Sequence, residues 1–187
     1  MKLNTIEDIT KFIFIGKSIE DLTHYDLLII NADWGEEKLA QDMKLMLDKN
    51  IIDDNTVFII CESHGNTERS SANILIDYLK KEGFTNKIII DDKYISNPEI
   101  LKNIDKLVDV NKYNRILRIA KDFVARRWYM NAKRHNFPID KCDFYGISDA
   151  RNINKNDWYK SDAGINQVMK ELINIGQLTI DDELSIK

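Results

Sequence analysis

The richest cluster of chemically useful side chains begins at Glu62 and follows a short apolar run of the chain. Free backbone N–H groups at the start of the next helical pattern can bind an anion. The candidate ligand-binding residues here are Ser63, Gly65, Asn66 and Arg69. His64 is a candidate catalytic acid or base, because the ordinary pKa of histidine lies near neutrality. An Asn- and Ser-rich helix cap without any ligand explains the same segment equally well.

The common phosphate-binding motifs are missing from this segment. Neither Gly-x-x-x-x-Gly-Lys-Ser/Thr nor Gly-x-Gly-x-x-Gly occurs, which disfavours a P-loop enzyme and a dinucleotide-binding enzyme. No nucleophile elbow and no metal-ligand spacing surrounds His64. If the cluster binds an anion, it does so without either of these motifs, and the helix-cap alternative stays open.

Acidic residues follow a second apolar run, at Asp91, Asp92 and Glu99. They suit a divalent cation or the hydroxyl groups of a ribose. Asp91 is a candidate ligand-binding residue, and Asp92 and Glu99 are candidate catalytic residues. The alternative is a plain helix start capped by Ser96 or Asn97.

Basic residues follow another apolar run, at Lys121, Arg126 and Arg127. A guanidinium donates two parallel hydrogen bonds to phosphate or carboxylate, and an ammonium binds them as a point charge, so all three are candidate ligand-binding residues. Neighbouring helix positions point about 100° apart, so only one of the two arginines can face a ligand squarely. A salt bridge to the neighbouring acidic loop, or a surface position, is the alternative role. Asn31 and Asp33, after the first apolar run, complete the candidate set.

The elements that position these residues follow from the pattern of apolar residues. Runs rich in Ile and Val predict strands at 26–31, 56–62, 87–92 and 115–120, and amphipathic stretches predict helices at 36–49, 69–82, 98–107 and 123–135. Alternation of strand and helix at this spacing is typical of parallel βαβ units, so we predict one α/β domain over residues 1–187 with a mainly parallel sheet. Further elements are predicted at 4–22 (one or two helices), 142–146 (a strand) and 162–175 (a helix). Ligands of such sheets bind at the carboxyl ends of the strands, where all the candidate residues fall.

Composition narrows the class of protein. The chain is 43% hydrophobic and 31% charged, with a net charge of −4 and no basic stripe, which argues against a nucleic-acid partner. No stretch approaches the roughly 20 apolar residues of a membrane span. The short apolar run at 12–15 follows acidic residues, unlike a signal peptide, so we expect a cytoplasmic protein.

The segments at the predicted strand ends resemble those of the YdcF-like family, which includes the SanA- and ElyC-related proteins. After the second strand, Glu62-Ser63-His64-Gly65-Asn66 and Arg69-Ser70-Ser71-Ala72 stand where the family has a glycine turn and a helix start. Similar matches occur at Asp91–Ile100, Asp122–Arg127 and Val168–Leu172, with Arg127 at the position of the family's most typical arginine. The chain departs from the pattern after strands two and three, where the family's Glu, Ser and Asn residues differ.

The resemblance implies a three-layer Rossmann-like fold and a charged pocket over the strand ends. It also implies a nucleotide-like or phosphorylated small-molecule ligand, with S-adenosylmethionine as the candidate cofactor. Group transfer and hydrolysis are the candidate activities. The alternative is a non-catalytic binding or regulatory module that has lost the family's site residues. The oligomeric state is left open.

Overall fold

A computed structural model of the chain describes residues 3–32, 35–63, 70–94 and 97–185. Its sheet has five strands in the described residues: β1 (Leu27–Asn31), β2 (Val57–Ser63), β3 (Ile88–Tyr94), β4 (Ile116–Lys121) and β5 (Cys142–Ile147). Every neighbouring pair is parallel, in the order β3-β2-β1-β4-β5. Each predicted strand is confirmed within two residues at either end.

The helices of the described residues are α1 (Leu3–Ile13), α2 (Glu36–Asp48), α3 (Ser71–Lys81), α4 (Asn97–Leu107), α5 (Ala125–Arg134) and α6 (Asp162–Ser185). Gly83 ends α3 as expected: it has φ +86°, and its N–H donates to the carbonyl of Lys80 at 3.1 Å. The N-terminal segment forms one α-helix and a short 3-10 turn at Ile19–Asp21. The last helix continues ten residues beyond the predicted end at 175. Gly176 therefore lies inside the helix, and a Cβ atom there would meet nothing within 4 Å.

The sheet separates two apolar cores, which makes the fold a three-layer α/β, Rossmann-like domain. Successive residues along each strand face opposite layers: Leu28 and Ile30 pack with α2 and α3, whereas Leu27 and Ile29 pack with α4 and α5. Burial on both faces explains why the strands are continuous apolar runs. A third cluster, which includes Ile13, Trp158 and Val168, joins α1 and α6 beside α5.

The strand order defines where a ligand can enter. From β1 the chain proceeds outward through β2 to β3, then crosses back to β4 on the other side of β1. Connections that leave two adjacent strands in opposite directions open a crevice at their carboxyl ends. In this sheet that crevice lies between β1 and β4.

Candidate functional site

A cavity of about 760 Å³ lies at the carboxyl edge of the sheet, on the side of α2 and α3. We call it the strand-end cavity. The first two turns of α2 form one wall, and the end of β5 with the loop after it forms the opposite wall. Its described lining residues are Gly35, Glu36, Lys38, Leu39, Asp42, Ser71, Tyr145, Gly146, Ile147, Ser148, Asp149, Ala150 and Asn152.

Tyr145 connects the two walls of the strand-end cavity. Its hydroxyl donates to Oδ2 of Asp42 at 3.2 Å, and Nζ of Lys38 donates to Oδ1 of the same carboxylate at 2.9 Å. Burial of the ring, reinforced by the charge of Asp42, raises the pKa of Tyr145 well above its ordinary value. Tyr145 is therefore a neutral hydrogen-bonding group at physiological pH and not a phenolate base.

The loop after β5 is held in place by its own polar contacts. Oδ2 of Asp149 accepts a hydrogen bond from Nε of Arg151 at 2.9 Å, and the backbone N–H of Arg151 donates to Oδ1 at 2.9 Å. The carbonyl of Asp149 accepts from the N–H of Asn152 at 2.8 Å, in a turn that gives Asn152 a φ of +56°. This wall is thus a preformed turn at the mouth of the cavity.

A half-buried carboxyl group, that of Asp122, lies behind Gly146, at the junction of β4 and β5. A Cβ atom at Gly146 would overlap Oδ1 of Asp122 and would lie 2.6 Å from its Cγ. Burial raises the pKa of Asp122 to about 6, although the charge of Lys155 acts in the opposite direction. Glycine at 146 is therefore what admits the Asp122 carboxyl group at this end of the sheet. The sequence-based search did not single out Asp122 or Gly146 as site residues.

Arg118 forms a second polar feature on the opposite face of the sheet. Its side chain is 0% exposed, and its Nη atoms donate to the carbonyl of Ile29 at 3.0 Å and to Oδ1 of Asn31 at 2.5 Å. Its guanidinium lies 5.8 Å from the centre of the Trp128 ring. Sequence reasoning missed Arg118 because it stands inside a predicted strand. A charged residue in a strand covered on both faces was the available signal, since buried charges are held by specific partners.

The predicted acidic group does not form a cation site. Asp91 is buried and accepts from Nδ2 of Asn103 at 3.3 Å, whereas Asp92 is exposed and Glu99 lies in the first turn of α4. Adjacent strand residues point to opposite faces, which separates the carboxylates of Asp91 and Asp92. Among the described residues, no three His, Cys, Asp or Glu side chains lie close enough together to hold a metal ion.

Both arginines of α5 make contacts within the chain; Arg127 forms a salt bridge, although with α6 and not with the neighbouring acidic loop, and Arg126 bonds to a backbone carbonyl. Arg127 donates from Nε to Glu171 at 2.6 Å and from Nη2 to the same carboxylate at 3.2 Å. Arg126 donates from Nε to the carbonyl of Phe12 at 2.7 Å and lies 5.0 Å from the centre of that ring. The arginines thus join α5 to α6 and to α1, and neither is among the described lining residues of the strand-end cavity.

The remaining candidates divide into two groups. Asn31 and Lys121 end β1 and β4, at the predicted edge. Ser63 ends β2, where the structure describes its backbone only. Asp33, His64, Gly65, Asn66 and Arg69 lie outside the described residues, so their roles stay predictions.

Comparisons of the chain with family models, with curated proteins and with solved structures found no match. Membership of the YdcF-like family therefore stays a prediction from the motifs. No helix in the described part of the chain combines the length and the apolar character that a membrane span requires.

Proposed function

We propose that this chain binds a nucleotide-like small molecule in the strand-end cavity. The observation that carries the proposal is the position of the cavity: it lies at the carboxyl edge of a parallel sheet, between the start of α2, which follows β1, and the end of β5, near the β1–β4 junction where the strand order reverses. Open α/β sheets bind their ligands at such a point. A volume of about 760 Å³ also lies within the usual range for small-molecule sites, roughly 300–1,000 Å³.

The chemistry of the lining supports a ligand with a flat apolar part and a hydroxylated part. Leu39 and Ile147 offer apolar surface to a base, while Tyr145 and Ser71 offer hydroxyl groups. The carboxylate of Glu36 is an acceptor suited to ribose hydroxyls, which acidic residues bind in Rossmann-type sites. S-adenosylmethionine combines these parts and is the cofactor candidate that the family resemblance suggests.

Catalysis by group transfer or hydrolysis is one form of the proposal, and a non-catalytic binding or regulatory module is the other. The pairing of Arg127 with Glu171 favours the module, because an arginine bonded twice to a carboxylate has fewer donors for a substrate. If chromatography detects a product formed from the bound ligand, the chain is an enzyme.

A thermal-shift panel of adenosine, AMP, ATP, S-adenosylmethionine and a sugar phosphate tests the binding proposal. At 100 times its Kd a ligand adds about 2.7 kcal/mol to the free energy of unfolding. Ala150→Trp should abolish the shift because Ala150 lines the cavity, and the control Ala163→Trp should not, because Ala163 is exposed on α6. If no compound shifts the wild type, or if Ala150→Trp leaves the shift intact, the proposal is wrong.

A further inference from the structure

A carboxylate of the chain already lies at the N-terminus of α2. In nucleotide-binding βαβ units the helix after β1 directs its free N–H groups at a phosphate. Here the N–H of Gly35, which has φ +104°, donates to Oε2 of Glu36 at 3.1 Å. A phosphoryl group at this position would have to displace or repel the carboxylate of Glu36.

The cationic side chains described at the cavity are paired with carboxylates. Among the described lining residues there are three carboxylates, at Glu36, Asp42 and Asp149, and one ammonium, at Lys38. Lys38 is bound to Asp42 at 2.9 Å, and Arg151, next to the wall, is bound to Asp149 at 2.5 Å. The part of the lining that the structure describes therefore carries an excess of negative charge.

Carboxylates beyond the lining add to the negative charge around Tyr145. Besides burial, the negative charges of Asp42, Glu20 and Asp122 all contribute to raising the pKa of Tyr145. These carboxylates come from α2, from the 3-10 turn after α1 and from the end of β4. Several elements around the cavity thus contribute negative charge at the same point.

We propose, building on the ligand site proposed above, that the strand-end cavity selects uncharged or cationic ligands and rejects ligands that bring a phosphoryl group to the start of α2. The relevant class is a nucleoside, or a nucleoside that carries an amino group or another cationic group. The sequence-based expectation of a phosphorylated ligand is thereby narrowed to its nucleoside part.

The charge selectivity can be tested without knowing the ligand. Ser148→Cys places a thiol on the exposed wall of the cavity. The rate at which this thiol is modified is measured with a cationic reagent, trimethylammonium-ethyl methanethiosulfonate, and with the anionic sulfonatoethyl methanethiosulfonate. Each rate is divided by the rate of the same reagent with free 2-mercaptoethanol. The protein without this substitution gives the background, which should be low because Cys61 is buried and burial raises the pKa of Cys142.

We expect the normalised ratio to favour the cationic reagent by about tenfold or more, because several carboxylates act together across a short distance. Glu36→Gln should lower the ratio severalfold. Glu37→Gln is the matched control, since it makes the same charge change in the same helical turn on an exposed side chain outside the lining. A ratio of one or less, or equal effects of the two variants, would overturn the proposal. Ala150→Cys provides a second thiol position if Ser148→Cys does not fold.

A series of three nucleosides then tests ligand choice. Adenosine, 5′-amino-5′-deoxyadenosine and AMP share one scaffold with a neutral, a cationic and an anionic 5′ group. AMP should bind at least tenfold more weakly than the other two, and Glu36→Gln should narrow the gap; tighter binding of AMP would refute the selectivity. If none of the three binds while the thiol ratio is as expected, the selectivity stands and the proposed nucleoside ligand fails. If one of the three binds but the thiol ratio favours the anionic reagent, the proposed nucleoside ligand stands and the charge selectivity fails.

Discussion

Replacement of Gly146 by alanine is the sharpest test of the arrangement behind the strand-end cavity. The added Cβ would overlap Oδ1 of Asp122 and would lie 2.6 Å from Cγ and 2.8 Å from Cβ of that residue. Contact so close to the backbone leaves the carboxyl group little freedom to swing aside. Gly16 closes the other side, where a Cβ would already lie 3.3 Å from the same oxygen.

The expected cost follows from overpacking a filled site. Such insertions destabilise by about 1–3 kcal/mol, and the direct overlap puts Gly146→Ala in the upper half of that range. For a chain of this size each kcal/mol lowers Tm by roughly 2–4 °C, so we expect a fall of about 4–12 °C. Urea unfolding gives the free energy directly, and binding in the cavity should weaken in parallel because Gly146 lines it.

A double-mutant cycle separates this mechanism from a general intolerance of change. Asp122→Ala removes Oδ1 and Cγ, so the pair Gly146→Ala with Asp122→Ala should be less unstable than the sum of the single variants, by about 1–2 kcal/mol. Gly176→Ala is the control, since a Cβ there meets nothing within 4 Å and alanine should stabilise the helix by about 0.5–1 kcal/mol. Additive effects in the cycle, or a Gly146→Ala protein as stable as the wild type, would refute the reasoning.

Three further predictions concern the same framework. Asp122 has a pKa raised from 3.8 to about 6 in the folded chain, so its contribution to the free energy of unfolding is fully present below pH 3.8 and is lost as the pH rises through 6. Asp122→Asn should remove up to about 3 kcal/mol of this pH dependence, measured by urea unfolding from pH 4 to 7. An unchanged profile would contradict the burial of the group. Gly164→Ala should destabilise by about 1–3 kcal/mol despite the better helix propensity of alanine, because the new Cβ would lie 2.8 Å from the backbone carbonyl carbon of Trp158; calorimetry showing a raised Tm would disprove this. Arg127→Met should cost about 3–5 kcal/mol in chemical denaturation because it leaves the 2%-exposed carboxylate of Glu171 without its cation, and adding Glu171→Met should recover most of the loss if the pair is structural.

Local patterns were sufficient for the fold because parallel strands covered on both faces are continuous apolar runs, and amphipathic stretches alternate with them. They were insufficient at the end of α6. Gly176 costs a helix only about 1 kcal/mol, which a helix packed through Val168 and Ile175 tolerates. A terminus therefore depends on packing as well as on residue type.

The candidate site, too, could be predicted from the sequence only in part. Sequence located the carboxyl edge of the sheet, because the polar segments follow the strands, and it offered a salt bridge as one role for the arginines. It did not identify the partner of Arg127, because Glu171 lies 44 positions away on α6. Nor did it indicate that Asp122 lies against Gly146, a contact made only when β4 and β5 pair in register.

The sequence by itself determined the alternation of strands and helices, the parallel sheet and the edge at which a ligand would bind, since these depend on local periodicity and on general rules of chain connection. The tertiary structure alone decided which charges are paired, which carboxyl group is buried and which walls enclose the strand-end cavity. Charge pairing and burial depend on distances between residues far apart in the chain. The charge of the cavity, and with it the class of ligand that we propose, is therefore a property of the folded molecule.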